Sequence, residues 1–207
     1  MYHQAWRTPA AKKPAERRQN RVTAGDVGFV YLLRALYEGG RGDVVYGLLK
    51  QSTGPGYLYQ ISHGATALTE AWDARASSSQ NHAMLGHAEE WLYRGLAGIN
   101  PDPAGPGFKK FIVKPQPQTG LTSVDVQYHS IRGVIASSWQ RGATGLTMNV
   151  AVPVNTTATI YVPTANAAGV TEGGLPVASA PGVTSVSQMA GTVVLQVGSG
   201  HYTFAAP

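Results

Sequence analysis

Asn100-Pro101-Asp102-Pro103-Ala104-Gly105-Pro106-Gly107 divides this chain of 207 residues. Three prolines and two glycines in eight positions cannot continue a helix, because proline lacks the amide donor and clashes with the turn before it. On the N-terminal side apolar residues recur at helical spacing, and on the C-terminal side they alternate at the period of a strand. The expected fold class is α + β in two domains, helices first and an antiparallel β-sandwich second. The expected division is a basic tail at 1–21, a helical domain at 22–100 and a β-domain at 101–207.

Upstream of the divide, Thr23 and Asp26 are placed to cap a helix whose apolar positions are Val27, Val30, Tyr31, Leu33 and Tyr37, and Gly39-Gly40 stops it. Asp43 is placed to cap a second helix over 44–51. Gly54-Pro55-Gly56 then forces a loop, and the alternation of Tyr57, Tyr59 and Ile61 predicts a short extended segment. A third helix is expected over 65–72. After a Ser-rich loop, the stripe Met84, Ala88, Trp91, Leu92 and Tyr93 predicts an amphipathic helix over 82–96. Downstream, Val124, Val126 and Tyr128 alternate with Asp125 and Gln127. Further strands are expected over 133–139, 146–152, 157–162, 192–197 and 201–204.

Composition narrows the chemistry. The chain has no cysteine, which excludes disulfides, thiolate metal sites and a cysteine nucleophile. Its net charge of +5 owes much to Arg7, Lys12, Lys13, Arg17, Arg18 and Arg21, which sit in a Pro- and Ala-rich run without interleaved aromatics. That pattern reads as a solvated tail and argues against nucleic acid as partner. No apolar run is long enough to span a bilayer and the first residues lack a secretory apolar core, so a soluble chain without membrane partner is expected. The His, Asp and Glu spacings match no metal site, and neither a P-loop nor a dinucleotide fingerprint is present, so no cofactor is expected.

One segment concentrates groups suited to sugar chemistry. Gly64-Ala65-Thr66-Ala67-Leu68-Thr69-Glu70-Ala71-Trp72-Asp73 is followed by Asn81-His82 and by Glu89-Glu90-Trp91-Leu92-Tyr93. A glycosidic bond needs carboxyl groups for proton transfer, while rings stack on the sugar and polar groups read its hydroxyls. Taken alone, Glu70 reads as a surface or capping carboxylate, His82 as a partly buried polar residue, and Trp72 as a core indole. Glu89 and Glu90 are neighbours on a helix and point about 100° apart, so they do not form a catalytic pair.

These residues resemble the end of the catalytic domain of bacterial α-L-rhamnosidases, inverting glycosidases built as an (α/α)6 toroid of six hairpins. The likeness extends to Thr23-Ala24-Gly25-Asp26-Val27-Gly28, to the Tyr31 to Leu36 core, and to Glu90-Trp91-Leu92-Tyr93-Arg94 with Ala97-Gly98-Ile99. Beyond the divide, the run from Gly107 to Pro115 and Ser137-Ser138-Trp139 resemble the start of the family's terminal sandwich. The resemblance implies a rhamnose-containing carbohydrate as substrate, Glu70 as general base, and His82 and Trp72 as substrate-binding residues. It also implies a partial toroid. Only about four helices fit in the first half of the chain, and no segment resembles the family's acidic cluster, so the general acid is expected to be missing and the chain to be a C-terminal piece. Helices without their toroid neighbours would leave apolar faces open to self-association. Thr69 stands where many relatives carry Trp, which leaves specificity open. The alternatives are a non-catalytic carbohydrate-binding fragment and a six-hairpin glycosidase for another sugar.

Overall fold

The computed structural model describes residues 21–189 and 191–207. The basic run expected at 1–21 lies outside the described residues except for Arg21. The chain forms two compact units that divide between Ala88 and Glu89, ahead of the Pro- and Gly-rich run.

In the first unit, α1 (Asp26–Glu38) buries Phe29, Leu33 and Tyr37, one side chain per turn along a single stripe. Val27 and Tyr31, expected on that stripe, are 68% and 66% exposed, because Phe29 sets the inward face. The cap is Gly25, without a side-chain bond; Asp26 is the first helical residue and its Oδ1 accepts from the Val27 amide at 2.8 Å. The Gly39 amide reaches back to the Ala35 carbonyl to close the helix. Helix α2 (Gly42–Leu49) buries Val44, Val45 and Leu48. Its Asp43 does not cap, since both carboxylate oxygens engage the Arg41 guanidinium at 2.8 Å, a contact that holds the carboxyl below the usual aspartate range.

Two expectations in this unit are corrected. The segment read as extended is α3 (Tyr57–Ser62): three alternating apolar residues are too few to separate period 2 from a single helical turn, and the residue turned inward is Gln60, only 2% exposed. The helix expected over 65–72 is absent; residues 64–82 form turns and bends. Backbone groups there are engaged elsewhere. The Leu68 carbonyl accepts from the His82 amide at 2.7 Å and the Glu70 amide donates to the Ser79 carbonyl at 2.9 Å, so neither is available to an i to i+4 ladder.

The helical stretch expected over 82–96 is broken into three pieces: a 3-10 turn (Ala83–His87), α4 (Ala88–Trp91) and a π-helical turn (Leu92–Leu96). The Ala97 amide donates to the Leu92 carbonyl, five residues back, at 3.0 Å. Leu85, Trp91, Gly95 and Leu96 are buried while Met84 is 51% exposed, so the inward stripe is shifted from the one expected.

The second unit is a β-sandwich of two sheets. One orders β1 (Ile99–Pro101), β2 (Lys110–Val113), β6 (Thr157–Val162), β10 (Thr192–Val197) and β9 (Val183–Met189) as β1-β2-β6-β10-β9. The other orders β3 (Ser123–Ser130), β4 (Gly133–Gly142), β5 (Gly145–Val152), β11 (Gly200–Ala206), β7 (Thr171–Glu172) and β8 (Leu175–Pro176) as β3-β4-β5-β11-β7-β8. All pairs are antiparallel except β2 with β6. Alternate residues form the core: Ile135, Ser137 and Trp139 on β4, Met148, Val150 and Val152 on β5, Ala158, Ile160 and Val162 on β6. Strand β1 crosses the divide seen in the sequence. Trp139 Nε1 donates to the Leu96 carbonyl at 3.0 Å and Ser137 Oγ to that of Ala97 at 2.7 Å, which ties the π-helical turn to the sheets.

Candidate functional site

Glu70, Trp72 and His82 all lie in the first unit, on the irregular segment between α3 and the 3-10 turn. Why that segment is irregular also explains how it holds its side chains. The two backbone bonds from Leu68 to His82 and from Glu70 to Ser79 close it into a loop with Glu70 and His82 at its base. Inside the loop the buried Thr69 donates from Oγ1 to the Ala71 carbonyl at 2.7 Å. Gln60 clamps the same stretch from α3: its Oε1 accepts from the Thr69 amide at 3.5 Å, and its Nε2 donates to the Thr69 and Ala71 carbonyls at 3.4 and 3.5 Å. A buried amide satisfied on both ends fixes the backbone on either side of Glu70.

Glu70 itself is exposed. Its Oε2 accepts from the Ser79 amide at 3.2 Å, and Oε1 has no bond to any described residue. Asp73, the other acid of the loop, faces Arg75 at 3.8 Å.

Trp72 is half-buried and packs edge-on against Phe29 and Tyr57, at centroid distances of 4.9 and 5.0 Å. Its indole Nε1 donates to the Ala24 carbonyl at 2.8 Å. The ring is therefore built into the packing around α1, and the residue remains partly exposed. Tyr57 donates to the Leu85 carbonyl, and burial pushes its hydroxyl well above the ordinary tyrosine value.

His82 Nε2 lies 3.2 Å from Asp26 Oδ2, so α1 and the base of the loop meet at this pair. The His82 contact, and then the Val27 amide, hold the Asp26 carboxyl below its usual value of 3.8. This pairing was not visible in the sequence, where Asp26 reads as a helix cap and stands 56 positions from His82. Gln60 left no signal either, since a single glutamine between a tyrosine and an isoleucine has no pattern. His63 stacks on Tyr59 at 3.8 Å and bonds its carbonyl at 2.9 Å, a local packing arrangement.

The Glu-Trp-Leu-Tyr-Arg run belongs to the second unit. Arg94 bridges Glu90 at 2.8 Å and Asn100 Oδ1 at 3.0 Å, and Asn100 donates back to the Arg94 carbonyl at 2.8 Å. Glu90 thus serves the packing of the π-helical turn. Among the described residues no group of three or more His, Asp or Glu is arranged to hold a metal ion, and no helix is long and apolar enough to cross a membrane.

Comparison with known proteins assigns both halves. Residues 3–96 match the family model of the bacterial alpha-L-rhamnosidase 6 hairpin glycosidase domain, and residues 98–174 that of the bacterial alpha-L-rhamnosidase C-terminal domain. An alpha-L-rhamnosidase from Streptomyces avermitilis is 32% identical over 194 residues, covering 88% of this chain and 18% of the relative. One from Formosa agariphila is 35% identical over 156 residues, covering 71% of this chain and 17% of the relative. The crystal structure of the Streptomyces avermitilis enzyme complexed with L-rhamnose superposes with a TM-score of 0.82 at 30% identity, over 93% of this chain and 19% of that one. The alpha-L-rhamnosidase of Dictyoglumus thermophilum gives 0.81 at 30% identity, over 92% and 22%. The chain thus spans about a fifth of the length of these proteins.

Proposed function

Because the chain belongs to the bacterial α-L-rhamnosidase family, we propose that it contributes the general base to the hydrolysis of terminal α-L-rhamnose from rhamnosides by an inverting six-hairpin glycosidase. Glu70 is that base. Its backbone is held on both sides by Thr69 and Gln60, and the Ser79 amide engages one carboxylate oxygen. The other oxygen, Oε1, takes the proton from a water that attacks the anomeric carbon on the face opposite the leaving group. His82, on the same loop, bonds a sugar hydroxyl, and the partly exposed Trp72 packs against the sugar ring. The observation that supports this reading is the closure of residues 68–82 into one loop by the Leu68–His82 and Glu70–Ser79 backbone bonds, a loop that carries both the motif Glu and the motif His.

Inverting chemistry requires a second carboxyl, protonated, roughly 6.5–9.5 Å from the base. Asp73 is engaged with Arg75 and Glu90 with Arg94. The chain spans about a fifth of the length of its relatives; the acid is assigned to the remainder of a catalytic domain of full family length, and the 207-residue chain assayed alone is expected to bind rhamnose without cleaving it. Titration calorimetry with L-rhamnose, L-fucose and D-glucose, run beside nitrophenol release from 4-nitrophenyl α-L-rhamnopyranoside, tests this. Heat with L-rhamnose alone and no nitrophenol is expected. Failure to bind L-rhamnose, or preference for another of the sugars, would overturn the substrate assignment, and turnover by the chain alone would place the acid within it.

A further inference from the structure

Asp26 has no part in the proton transfers just described, yet it is the hydrogen-bond partner of the His82 ring among the described residues. The pair is partly sheltered, with side-chain exposures of 34% for Asp26 and 21% for His82. Both partners are anchored. Asp26 Oδ1 accepts from the Val27 amide at 2.8 Å at the start of α1, and Trp72 grips the Ala24 carbonyl two residues earlier at 2.8 Å. His82 is fixed through its own amide to the Leu68 carbonyl at 2.7 Å, and through its carbonyl to the Leu85 amide at 3.1 Å.

An ionised carboxylate only accepts hydrogen bonds, so the proton between Asp26 Oδ2 and His82 Nε2 must sit on Nε2. In the neutral ring the other nitrogen then carries a lone pair and no hydrogen. We propose that Asp26 is a positioning residue that fixes His82 as the Nε2–H tautomer, so that Nδ1 presents an acceptor to a hydroxyl of the bound sugar. The role of His82 at the sugar rests on the function proposed above; the tautomer and orientation set by Asp26 do not. The depressed Asp26 carboxyl agrees with the geometry, since an acceptor ionised throughout the working range keeps the ring in one state.

The consequence is selectivity by polarity. A ring locked this way accepts from a hydroxyl at Nδ1 and offers nothing to an ether or methylated oxygen at the same place, whereas an imidazole free to exchange tautomers would serve both. Asp26→Ala removes the lock without touching Glu70.

The test is nitrogen-15 spectroscopy of the histidine-labelled 207-residue chain at about pH 9, where ordinary imidazoles are neutral, with and without L-rhamnose. Expected are a protonated Nε2 and a bare Nδ1 for His82, a shift of Nδ1 on adding L-rhamnose, and a mixture of tautomers in Asp26→Ala with affinity for L-rhamnose lowered about five- to tenfold. Asp26→Glu, which can still accept from the ring, should restore part of the wild-type signature. A His82 ring protonated on Nδ1, or one whose tautomer is unchanged in Asp26→Ala, would overturn the role of Asp26 while leaving the sugar site standing. If the lock is present but L-rhamnose leaves His82 unmoved, the proposed sugar site fails and the positioning role fails with it.

Discussion

Trp72 donates its indole hydrogen to the carbonyl of Ala24 at 2.8 Å, joining residues 48 positions apart. This one bond connects the loop that carries Glu70 to the start of α1, where Asp26 meets His82. Trp72→Phe keeps most of the ring contact with Phe29 and Tyr57 but leaves the Ala24 carbonyl unpaired. A loss of about 1–2 kcal/mol is expected, whereas Trp72→Ala should cost about 3 kcal/mol through the cavity it opens. Thermal unfolding of the three proteins checks the order. If Trp72→Phe were as damaging as Trp72→Ala, the ring packing would not be the larger contribution.

Tyr57 gives the first unit a specific sensitivity to alkali. Burial raises its hydroxyl above the ordinary value of 10.0, so the folded state holds this proton more tightly than the unfolded chain does. The associated stability is complete below about pH 10 and is lost as pH rises above it towards the folded value. In Tyr57→Phe, melting temperature should fall less between about pH 9 and pH 11 than in the wild type. At pH 7 the variant should be less stable by about 1–2 kcal/mol, because the Leu85 carbonyl loses its donor. Equal alkaline slopes in the two proteins would show that Tyr57 does not set the alkaline sensitivity.

Gly95 is required by Trp91. A Cβ at Gly95 would come within 2.5 Å of the Trp91 ring, and that indole is fully buried and has no room to retreat. Gly95→Ala should destabilise the second unit by about 1–3 kcal/mol. Gly98, at φ +83, is held even more tightly, since its Cβ would lie 2.3 Å from the Lys114 backbone. Melting curves that place Gly95→Ala level with the wild type would show that the π-helical turn can relax around the added methyl.

Much of the molecule was legible because its signals were long or repeated. Strands β6 and β10 fall where the alternation of apolar residues put them, and β4, β5 and β11 differ from expectation mainly at their ends. Helices α1 and α2 were marked by period and by the glycines that follow or precede them. What escaped the sequence was decided by single contacts. Gln60 and Thr69 hold residues 64–72 out of a helix by taking backbone partners, and no local pattern announces a buried amide. Strand β2 is short, lies next to the proline-rich divide, and pairs in parallel with β6, so neither alternation nor a hairpin turn reveals it. In the candidate site, the motif pointed to Glu70 and His82, while the partner of His82 lay 56 positions away at a helix start that reads as an ordinary cap.

The role of Glu70 as general base is tested most directly by a chimera in which residues 21–207 replace the matching segment of the Streptomyces avermitilis relative, assayed on 4-nitrophenyl α-L-rhamnopyranoside with and without Glu70→Gln. A folded enzyme that releases nitrophenol is expected, with a fall of about a thousandfold on Glu70→Gln and L-rhamnose binding retained. A chimera that turns over substrate at the same rate with either residue at position 70 would contradict that role.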